Sequence, residues 1–441
     1  MDLTAILGAH SETVHRMIEL YRDSGRPILD FLHVIFDNIF DVILMVAILV
    51  SALYLVMSLF LLFKKKKKNY KFNKKKAPFV TVQIPTLNEL VAIRCAKKCL
   101  NFDYPKNKYE ILIGDDSNKS FVSKKLDEFA RKHKQIKIVK RTNNVGYKAG
   151  NLNNMLKYSK GSIIVLFDSD FVPSRNFLRR VVTPFTNKNV SAVQARWKFI
   201  NTNQNLVSIL GSTIVTIFHH IMLPFISKRN LSFLCGSAEA VRKDVLVKLG
   251  GWEKGCLTED IEFSLRLLKN GYKIEYLGDL ECDSEVPYKA KDLYKQQMRW
   301  AYGVISSFKK HGKDIITSKK LNTIDKFYIY LEPSGYLFSV LLLFLFVTGF
   351  LSFITHAPEP INFAKFFSEL AKNVSFTSGF LIAGIIALTK SNNLKGIFPM
   401  IISSISYGLV VTYYVNIGIL KVLTKRPMKW YMLHKSGNKL V

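Results

Sequence analysis

Residues 162–173 read SIIVLFDSDFVP, and this stretch decides the predicted fold. Five apolar residues, Ile163 to Phe167, lead directly into two carboxylates, Asp168 and Asp170. A short apolar run bounded by turn-forming residues is typical of a buried parallel strand. Ligands of open α/β sheets bind at the carboxyl ends of such strands. The two Asp side chains offer the hard oxygen ligands that Mg²⁺ or Mn²⁺ prefers, and such an ion could hold a diphosphate, although a solvated turn has the same pattern.

Further apolar runs extend this strand into a sheet. The predicted strands are short and apolar and lie at residues 79–84, 109–114, 136–139, 162–167 and 191–194. Segments with helical spacing separate most of them, and this alternation favours a mostly parallel sheet with helices on both faces. The sequence therefore predicts an α/β domain.

The composition leaves several functional classes open. The 441 residues are 49% apolar, and Lys and Arg outnumber Asp and Glu 64 to 33, a net charge of +31. This balance is compatible with nucleic acid, anionic lipid or a phosphorylated substrate as the partner. The five cysteines form no C-x-x-C pair and no zinc spacing, which predicts reduced thiols in a cytosolic environment. The N-terminal sequence does not predict a signal peptide.

Uncharged apolar segments predict membrane spans at both ends of the chain. Residues 42–63 are long enough to cross a bilayer, and nine lysines follow within the thirteen residues 64–76. Lysines beside a span place that end in the cytoplasm, where they also meet anionic lipid, and this weakens the nucleic-acid interpretation. Residues 335–355 and 397–420 can also cross, whereas residues 374–389 are few for a span, so the number of crossings stays open.

Residues 205–226 have the hydropathy of a span but are predicted not to cross. They separate two groups of carboxylates that a crossing would place on opposite sides of the bilayer. His219, His220 and Pro224 also suit a lipid-facing helix poorly. A helix packed on the domain is favoured instead, with the two histidines in structural roles because adjacent helical residues point apart.

The predicted protein is a multi-pass integral membrane protein whose α/β domain lies in the cytoplasm. Its segments are an amphipathic N-terminal segment (1–41), a transmembrane helix (42–63), a basic linker (64–77), the cytoplasmic domain (78–286), interfacial helices (287–334), a C-terminal transmembrane region (335–423) and a basic cytoplasmic tail (424–441).

Four polar clusters follow predicted strands or open predicted helices. They are Asp115-Asp116-Ser117, Asp168-Ser169-Asp170, Thr258-Glu259-Asp260 and Gln296-Gln297-Met298-Arg299-Trp300. Alone, the first and third could be helix caps, and the fourth could be an interfacial helix with its Arg and Trp at headgroup depth. Together and in this order they resemble the D, D-x-D, T-E-D and Q-x-x-R-W series of processive family 2 glycosyltransferases such as cellulose and hyaluronan synthases.

Other segments add to this resemblance, which covers about residues 78–305. Residues 85–89 (PTLNE) resemble the nucleotide-binding turn after the first strand, and residues 146–151 (GYKAGN) resemble the K-A-G segment. Residues 193–197 (VQARW) and 250–252 (GGW) are similar to plant mannan and glucomannan synthases. Residues 233–237 (FLCGS) resemble the acceptor-site segment of cellulose synthases.

The resemblance implies a GT-A-type fold and the transfer of a hexose, with inversion, from UDP-glucose or GDP-mannose to a growing β-linked polysaccharide or a lipid-linked acceptor. The implied roles are catalysis for Asp260 and Glu259; nucleotide-sugar binding for Thr86, Glu89, Asp115, Asp116, Lys148, Asp168 and Asp170; acceptor or diphosphate binding for Cys235, Gly236, Gln296, Arg299 and Trp300; and metal binding for Asp170, with Mg²⁺ or Mn²⁺ as the cofactor. Membrane lipid is an expected partner, and nucleic acid is not.

The chemistry of such a transfer is consistent with these residue types. A departing diphosphate requires cations, which a metal on Asp170, Lys148 and Arg299 would supply. An acceptor hydroxyl requires a base on the attacking side, and Asp260 is the predicted base. A single displacement with one base inverts the anomeric centre, so an α-linked donor gives a β-linked product.

Two other interpretations remain open from the sequence. A glycolipid synthase of the ceramide-glucosyltransferase type shares the carboxylate series and the R-W pair. A non-catalytic membrane scaffold or nucleic-acid-binding protein would use the net charge of +31 instead. Residues 430–435 (WYMLHK) are the nearest counterpart of the F-x-V-T-x-K gating pattern of cellulose synthase and lack its Thr.

Overall fold

The computed structural model describes residues 15–17, 19–62, 72–357 and 362–435. Parts of the predicted N-terminal segment (1–41), basic linker (64–77) and basic tail (424–441) therefore lie outside the described residues. The chain divides into two units, one formed by residues 1–53 with 337–380 and the other by residues 54–336 with 381–441.

The helices of the described residues, numbered along the chain, are α1 (Arg26–Phe60), α2 (Val91–Leu100), α3 (Ser120–Arg131), α4 (Tyr147–Tyr158), α5 (Phe177–Val182), α6 (Leu206–Ile217), α7 (Leu223–Ile226), α8 (Lys243–Lys248), α9 (Glu259–Lys269), α10 (Ala290–Thr317), α11 (Thr323–Tyr330), α12 (Ser334–Thr355), α13 (Phe363–Thr377), α14 (Gly379–Lys390) and α15 (Ile397–Leu423). A π-helical turn, Phe218–Met222, joins α6 to α7. The strands are β1 (Val80–Thr86), β2 (Tyr109–Asp115), β3 (Ile136–Lys140), β4 (Ile163–Leu166), β5 (Val172–Pro173), β6 (Val190–Phe199), β7 (Glu239–Arg242) and β8 (Lys273–Ser284).

Within the described residues, the eight strands form one sheet in the order β3-β2-β1-β4-β7-β6-β8-β5. The strands β3, β2, β1 and β4 are parallel to one another. Beyond β4 the sheet is mixed, because β7 runs antiparallel to both β4 and β6 while β8 runs parallel to β6. The predicted α/β sheet with flanking helices is confirmed. The five predicted strands correspond to β1, β2, β3, β4 and β6, and the sequence did not predict the other three.

In the parallel half of the sheet, the carboxyl ends of the strands lie along one edge. All seven residues of β1 are buried, including the polar side chains of Thr81, Gln83 and Thr86. Val82 of β1 and Val165 of β4 are partners in the ladder and belong to the same core. Thr86, the last residue of β1, pairs with Asp115, the last residue of β2. The predicted polar clusters therefore begin where these parallel strands end.

Helix α10 carries the predicted residues Gln296 to Trp300, and α15 packs along it. A Cβ atom added at Gly418 of α15 would lie 2.5 Å from the carbonyl oxygen of Met298, so only glycine permits this close approach. The rings of Tyr294 and Tyr414 stack with centroids 5.2 Å apart. Lys309 Nζ donates to the carbonyl of Val422 at 3.2 Å. These contacts fix α10, and with it the predicted acceptor-binding residues.

The chain leaves the sheet before residues 206–229 and returns to the same sheet after them. They follow β6, and Leu231 immediately after them bridges to Ile274 of β8. The most apolar part of this segment is 72% buried, compared with 22–28% for the other three candidate spans. This packing agrees with the prediction that the segment is a helix on the domain.

Within the described residues, four helices are long and apolar enough to cross a membrane: Asp23–Phe60, Leu206–Arg229, Ser334–Thr355 and Leu394–Leu423. The pair Phe363–Thr377 and Gly379–Lys390, bent by 55°, would be a fifth if it forms one span. In the unit of residues 1–53 and 337–380, α1 packs against α12, where His33 Nδ1 lies 3.0 Å from the Ser352 carbonyl oxygen. The backbone amide of Gly379 donates to Ser51 Oγ at 2.8 Å in the same unit.

Candidate active site

The predicted site residues meet in one cleft at the carboxyl ends of β1 and β4. Those that line the cleft are Thr86, Glu89, Asp116, Lys148, Asp168, Asp170, Cys235, Gly236, Glu259, Asp260, Gln296, Arg299 and Trp300. Asp115 is the single predicted site residue that does not line it. The fold thus brings together side chains that lie far apart in the sequence.

Hydrogen bonds from other segments hold the turn after β4 that carries Asp168 and Asp170. The backbone amide of Asp168 donates to Ser237 Oγ at 2.8 Å. The main-chain oxygen of Asp170 accepts from the Arg94 guanidinium at 2.9 Å, and Asp170 Oδ2 accepts from the amide of Glu285 at 3.2 Å. Asp170 is thereby held with its other carboxylate oxygen, Oδ1, available for a cation.

Glu89 lies beside this turn. Its carboxylate accepts a hydrogen bond from Ser169 Oγ, and Thr86 Oγ1 donates to the carbonyl of Glu89 at 3.2 Å. Burial raises the pKa of Glu89, because removing a carboxylate from water disfavours its charged form. Thr86 and Glu89 therefore support the Asp-x-Asp turn as well as lining the cleft.

Lys148 is the central cation of the cleft. Its ammonium nitrogen lies 2.7 Å from Asp168 Oδ1 and 3.1 Å from Glu259 Oε1, and it donates to the carbonyl of Gly236 at 2.6 Å. Burial opposes the charge of Lys148, but the carboxylates of Asp168 and Glu259 outweigh this effect and hold the pKa above its usual value. Lys148 therefore remains charged at neutral pH and links the Asp-x-Asp turn to the start of α9.

Helix α9 presents Asp260 to the cleft in its first turn. Glu259 is 2% exposed and paired with Lys148, whereas Asp260 forms no ion pair with any described residue. Burial raises the pKa of Asp260 to about 7, and the neighbouring charge of Glu259 adds to the effect. A carboxylate with a pKa near neutrality is suited to accept a proton at physiological pH.

Thr258 does not cap α9, contrary to one interpretation of the sequence. Its side chain makes no capping hydrogen bond, and Thr258 Oγ1 is buried without a partner in the described part of the chain. A Cβ atom added at Gly303 of α10 would lie 2.4 Å from Thr258 Cγ2. The absence of a side chain at Gly303 therefore gives Thr258 its space and sets the distance between α9 and α10.

Arg299 and Trp300 of α10 lie on the side of the cleft near Asp260. Arg299 donates to the carbonyl of Leu257 at 2.8 Å, just before the start of α9. Burial lowers the pKa of Arg299, although the carboxylates of Glu259 and Asp260 oppose the shift. Gln296 and Trp300 line the same wall. This wall combines a buried positive charge with an aromatic ring.

The two carboxylates at the end of β2 have different surroundings. Asp115 accepts hydrogen bonds from the amide of Ser117 at 3.0 Å and from Ser123 Oγ at 2.6 Å, so its carboxylate is occupied by its own loop and helix. Asp116 lines the cleft and makes two bonds to Arg141, at 2.7 and 2.5 Å. Asp115 is buried, and Asp116 is the more accessible of the two.

The C-terminal segment Trp430–Lys435 also lines the cleft. Lys435 Nζ lies 2.5 Å from Asp170 Oδ1, 3.2 Å from Ser169 Oγ and 3.5 Å from Glu89 Oε1. The ring of Trp430 stacks on Tyr147 with centroids 6.2 Å apart, and Arg299 lies 4.4 Å from the same indole. The ammonium group of Lys435 thus occupies the position at Asp170 where the sequence predicts a metal.

Buried Asp292 anchors this segment. Tyr431 Oη donates to Asp292 Oδ1 at 2.8 Å, and the amide of His434 donates to Asp292 Oδ2 at 3.1 Å. Asp292 itself lies in the first turn of α10. The segment is therefore held at two points: by Asp292, which lies outside the Asp-x-Asp turn, and by Asp170, which lies within it.

Sequence reasoning did not identify all of the residues that shape the cleft. Glu239, at the start of β7, is fully buried directly behind Gly236. In the sequence, Lys435 belongs to the basic tail and to the nearest counterpart of the gating pattern, and nothing near it indicates that it pairs with Asp170. The sequence of β7 (EAVR) has a charged residue at each end, and only its burial in the sheet distinguishes Glu239.

Two comparisons of the sequence with known proteins identify relatives of this chain. Residues 77–303 match the sequence profile of the family described as "Glycosyltransferase like family 2". A probable glucomannan 4-beta-mannosyltransferase 7 from Oryza sativa subsp. japonica is 33% identical over 264 residues, which are 57% of this chain and 45% of that protein. Glucomannan 4-beta-mannosyltransferase 2 from Arabidopsis thaliana is 32% identical over 291 residues, 61% of this chain and 54% of that protein. The chain thus spans about half the length of these curated relatives.

A solved structure shares the fold. It is a mannosyltransferase from Pyrobaculum calidifontis in complex with GDP-Man and Mn²⁺, and it superimposes with a TM-score of 0.65 over 89% of this chain and 99% of that one. The sequence identity is 18%, so the likeness concerns the arrangement of the backbone.

Proposed function

Because this chain belongs to the glycosyltransferase-like family 2, we propose that it is a membrane-bound, inverting hexosyltransferase that extends a β-linked polysaccharide from a nucleotide sugar. The glucomannan mannosyltransferases among its relatives favour GDP-mannose over UDP-glucose as the first donor to test. The observation that carries the proposal is the convergence of Asp170, Lys148 and Asp260 on one cleft.

Asp260 is the proposed base. It lies in the first turn of α9, forms no ion pair with the described residues and has a pKa of about 7. The acceptor hydroxyl would transfer its proton to this carboxylate as its oxygen attacks the anomeric carbon from the face opposite the diphosphate. Glu259 is paired with Lys148 at 3.1 Å and serves instead to place that cation.

Lys148 and Arg299 are the proposed protein cations for the leaving group. Lys148 already bridges Asp168 and Glu259, so it needs little movement to stabilise negative charge that develops on a departing phosphate. The indole of Trp300 would offer a flat face to the terminal sugar of the acceptor, beside Cys235 and Gly236.

The residues at Asp170 are suited to a divalent cation. The ammonium group of Lys435 lies 2.5 Å from Asp170 Oδ1, and a position that accepts one positive charge supports the binding of another. Among the described residues, no group of three or more His, Cys, Asp or Glu side chains is arranged to hold a metal by itself. Asp170 would therefore bind Mg²⁺ or Mn²⁺ together with the donor diphosphate, and the ion would supply charge neutralisation for the leaving group.

We further propose that residues 78–286 form the cytoplasmic catalytic domain and that membrane lipid surrounds the apolar helices. The nine lysines directly after the first candidate span support this orientation.

The test of the proposed function is turnover with a panel of nucleotide sugars. The purified full-length protein in lipid nanodiscs is offered labelled GDP-mannose, UDP-glucose and UDP-N-acetylglucosamine with Mn²⁺, and the released nucleoside diphosphate is measured. We expect release with GDP-mannose or UDP-glucose to exceed the background by at least about a hundredfold. A labelled product that is retained as polymer, rather than extracted as a single-sugar lipid, supports the polysaccharide synthase over the glycolipid synthase. No release with any donor would contradict the proposal.

Replacing Lys435 by Met is expected to tighten the binding of Mn²⁺. In the native protein the ion must displace an ammonium group from Asp170 Oδ1, whereas the variant lacks that competitor. Loss of one partly exposed ion pair corresponds to about 1 kcal/mol, or about a fivefold lower dissociation constant. The loss of the free Mn²⁺ electron paramagnetic resonance signal measures binding without relying on turnover.

Lys429→Met is the matched control, because Lys429 is an exposed lysine of the same tail that makes no ion pair among the described residues. It should bind Mn²⁺ as the native protein does. Identical binding curves for Lys435→Met and Lys429→Met would show that Lys435 does not compete for this position.

A further inference from the structure

Glu239 is a fully buried carboxyl group that the proposed mechanism does not use. It is the first residue of β7 and has no exposed surface. Its Oε2 atom accepts a hydrogen bond from the backbone amide of Gly236 at 2.8 Å. Its Oε1 atom is buried and has no partner in the described part of the chain. A buried carboxyl group is costly, so its single hydrogen bond to a turn at the cleft needs an explanation.

The turn that Glu239 holds has an unusual backbone. Gly236 has a φ of 82°, which glycine adopts readily, but Ala238 has a φ of 51°, which an alanine adopts at a cost. Such a conformation persists only where surrounding contacts impose it. Gln194 supplies two of them, since it accepts from the amide of Cys235 at 2.8 Å and donates to the carbonyl of Ser237 at 3.0 Å. Glu239 supplies the contact in the middle of the turn.

The turn from Cys235 to Ala238 also touches three parts of the candidate active site. The carbonyl of Gly236 accepts from Lys148 Nζ at 2.6 Å. A Cβ atom added at Gly236 would lie 3.1 Å from Asp260 Oδ2, so the backbone there limits where this carboxylate can lie. Ser237 Oγ accepts from the amide of Asp168 at 2.8 Å. Displacing the turn would move the central cation, the proposed base and the Asp-x-Asp turn together.

We propose that Glu239 is a positioning residue, whose hydrogen bond to the Gly236 amide holds the Cys235–Ala238 turn and thereby places Lys148 against Asp260. The importance of this placement rests on the proposed function, because Lys148 and Asp260 carry the transfer only if the protein is a glycosyltransferase. The position of the turn itself can be measured independently of any activity.

The hydrogen bond of Glu239, and not its charge, is the feature that matters. Three carboxylates, Asp168, Glu259 and Asp260, already surround the single ammonium group of Lys148. Burial raises the pKa of Glu239 well above its usual value, and the charge of Asp260 raises it further. A neutral group that still accepts a hydrogen bond should therefore replace Glu239 without loss.

The test compares Glu239→Gln with Glu239→Leu, both in a Cys256→Ser background. Glutamine keeps a hydrogen-bond acceptor of the same length, and leucine removes it. The first readout is the rate at which a maleimide labels Cys235, which is half-buried on the turn, whereas Cys95, Cys99 and Cys282 are buried. The second readout is kcat with the best nucleotide sugar, measured separately from the donor KM. Val241→Ala, a buried residue two positions further along β7, is the control for general weakening of this strand.

For Glu239→Gln, we expect the labelling rate of Cys235 and the kcat to lie within about twofold of those of the background protein. Glu239→Leu should label Cys235 about tenfold faster and lose about tenfold or more in kcat, which is the effect of removing one buried hydrogen bond. Val241→Ala should lower the unfolding temperature but leave the labelling of Cys235 unchanged.

Two results would overturn the inference. If Glu239→Leu labels at the background rate, Glu239 does not hold the turn. If Glu239→Gln behaves like Glu239→Leu, the charge and not the hydrogen bond is required. These outcomes differ from failure of the proposed function, in which the native protein releases no nucleoside diphosphate while the labelling rates of the variants still separate as expected.

Discussion

Asp260→Asn is expected to lower kcat by about a thousandfold or more. The amide cannot accept the proton of the acceptor hydroxyl, and removing a positioned base costs about 10²–10⁴ in rate. The amide side chain is nearly the same size as the carboxylate it replaces, so donor affinity should change by less than about threefold. Initial rates of nucleoside diphosphate release give kcat, and equilibrium binding of the donor in the presence of Mn²⁺ gives the affinity.

The control for this variant is Asp279→Asn, a surface carboxylate paired with Arg180 outside the cleft. It should retain full activity.

Because the pKa of Asp260 is raised to about 7, the carboxylate is ionised above this pH and protonated below it. The native kcat should therefore fall about tenfold per pH unit below about pH 7. A pH profile that is unchanged in Asp260→Asn, together with near-native turnover, would remove Asp260 as the base.

Chelation of divalent cations is expected to reduce turnover by at least about a hundredfold, and added Mn²⁺ or Mg²⁺ should restore it. Without the ion, the diphosphate leaves against the repulsion of Asp168 and Asp170, and the side-chain cations Lys148, Arg299 and Lys435 offset its charge only in part. Assays with excess EDTA, followed by titration with each cation, measure the loss and its recovery.

Asp170→Asn should show the same defect, and additional Mn²⁺ should not restore activity fully. Asp103→Asn, an exposed carboxylate paired with Arg179, is the matched control and should respond to EDTA as the native protein does. Full turnover in the presence of EDTA would show that the side-chain cations of the cleft support departure of the diphosphate without a metal.

The sequence predicted the parallel half of the sheet because those strands are buried and carry recognisable apolar patterns: β4 is a continuous apolar run, and β1 has an apolar residue at positions 80, 82 and 84. It did not predict β7, because the strand is only four residues long and begins with a charged residue, Glu239. It also missed β8, in which apolar and charged residues are interspersed over twelve positions. Local pattern alone cannot identify strands whose burial depends on the neighbouring strands.

The residues of the cleft were predictable where a compact motif carries them, and not where a long-range contact decides their role. The clusters around Asp168, Asp260 and Arg299 were identified, and all three line the cleft. Asp115 belongs to an equally clear cluster, yet its carboxylate bonds to Ser117 and Ser123 because the following loop turns back on it. Lys435 reaches Asp170 across 265 positions of sequence, and no local pattern reports such a contact.

The central claim is that Asp170, Lys148 and Asp260 surround the diphosphate and the anomeric carbon of one bound nucleotide sugar. Cryo-electron microscopy of the protein with GDP-mannose, Mn²⁺ and the Asp260→Asn substitution tests this claim most directly. We expect density for the cation at Asp170 with Lys435 displaced, the diphosphate beside Lys148, and the anomeric carbon facing residue 260. Density for the nucleotide sugar outside this cleft, or with its anomeric carbon directed away from residue 260, would contradict the account.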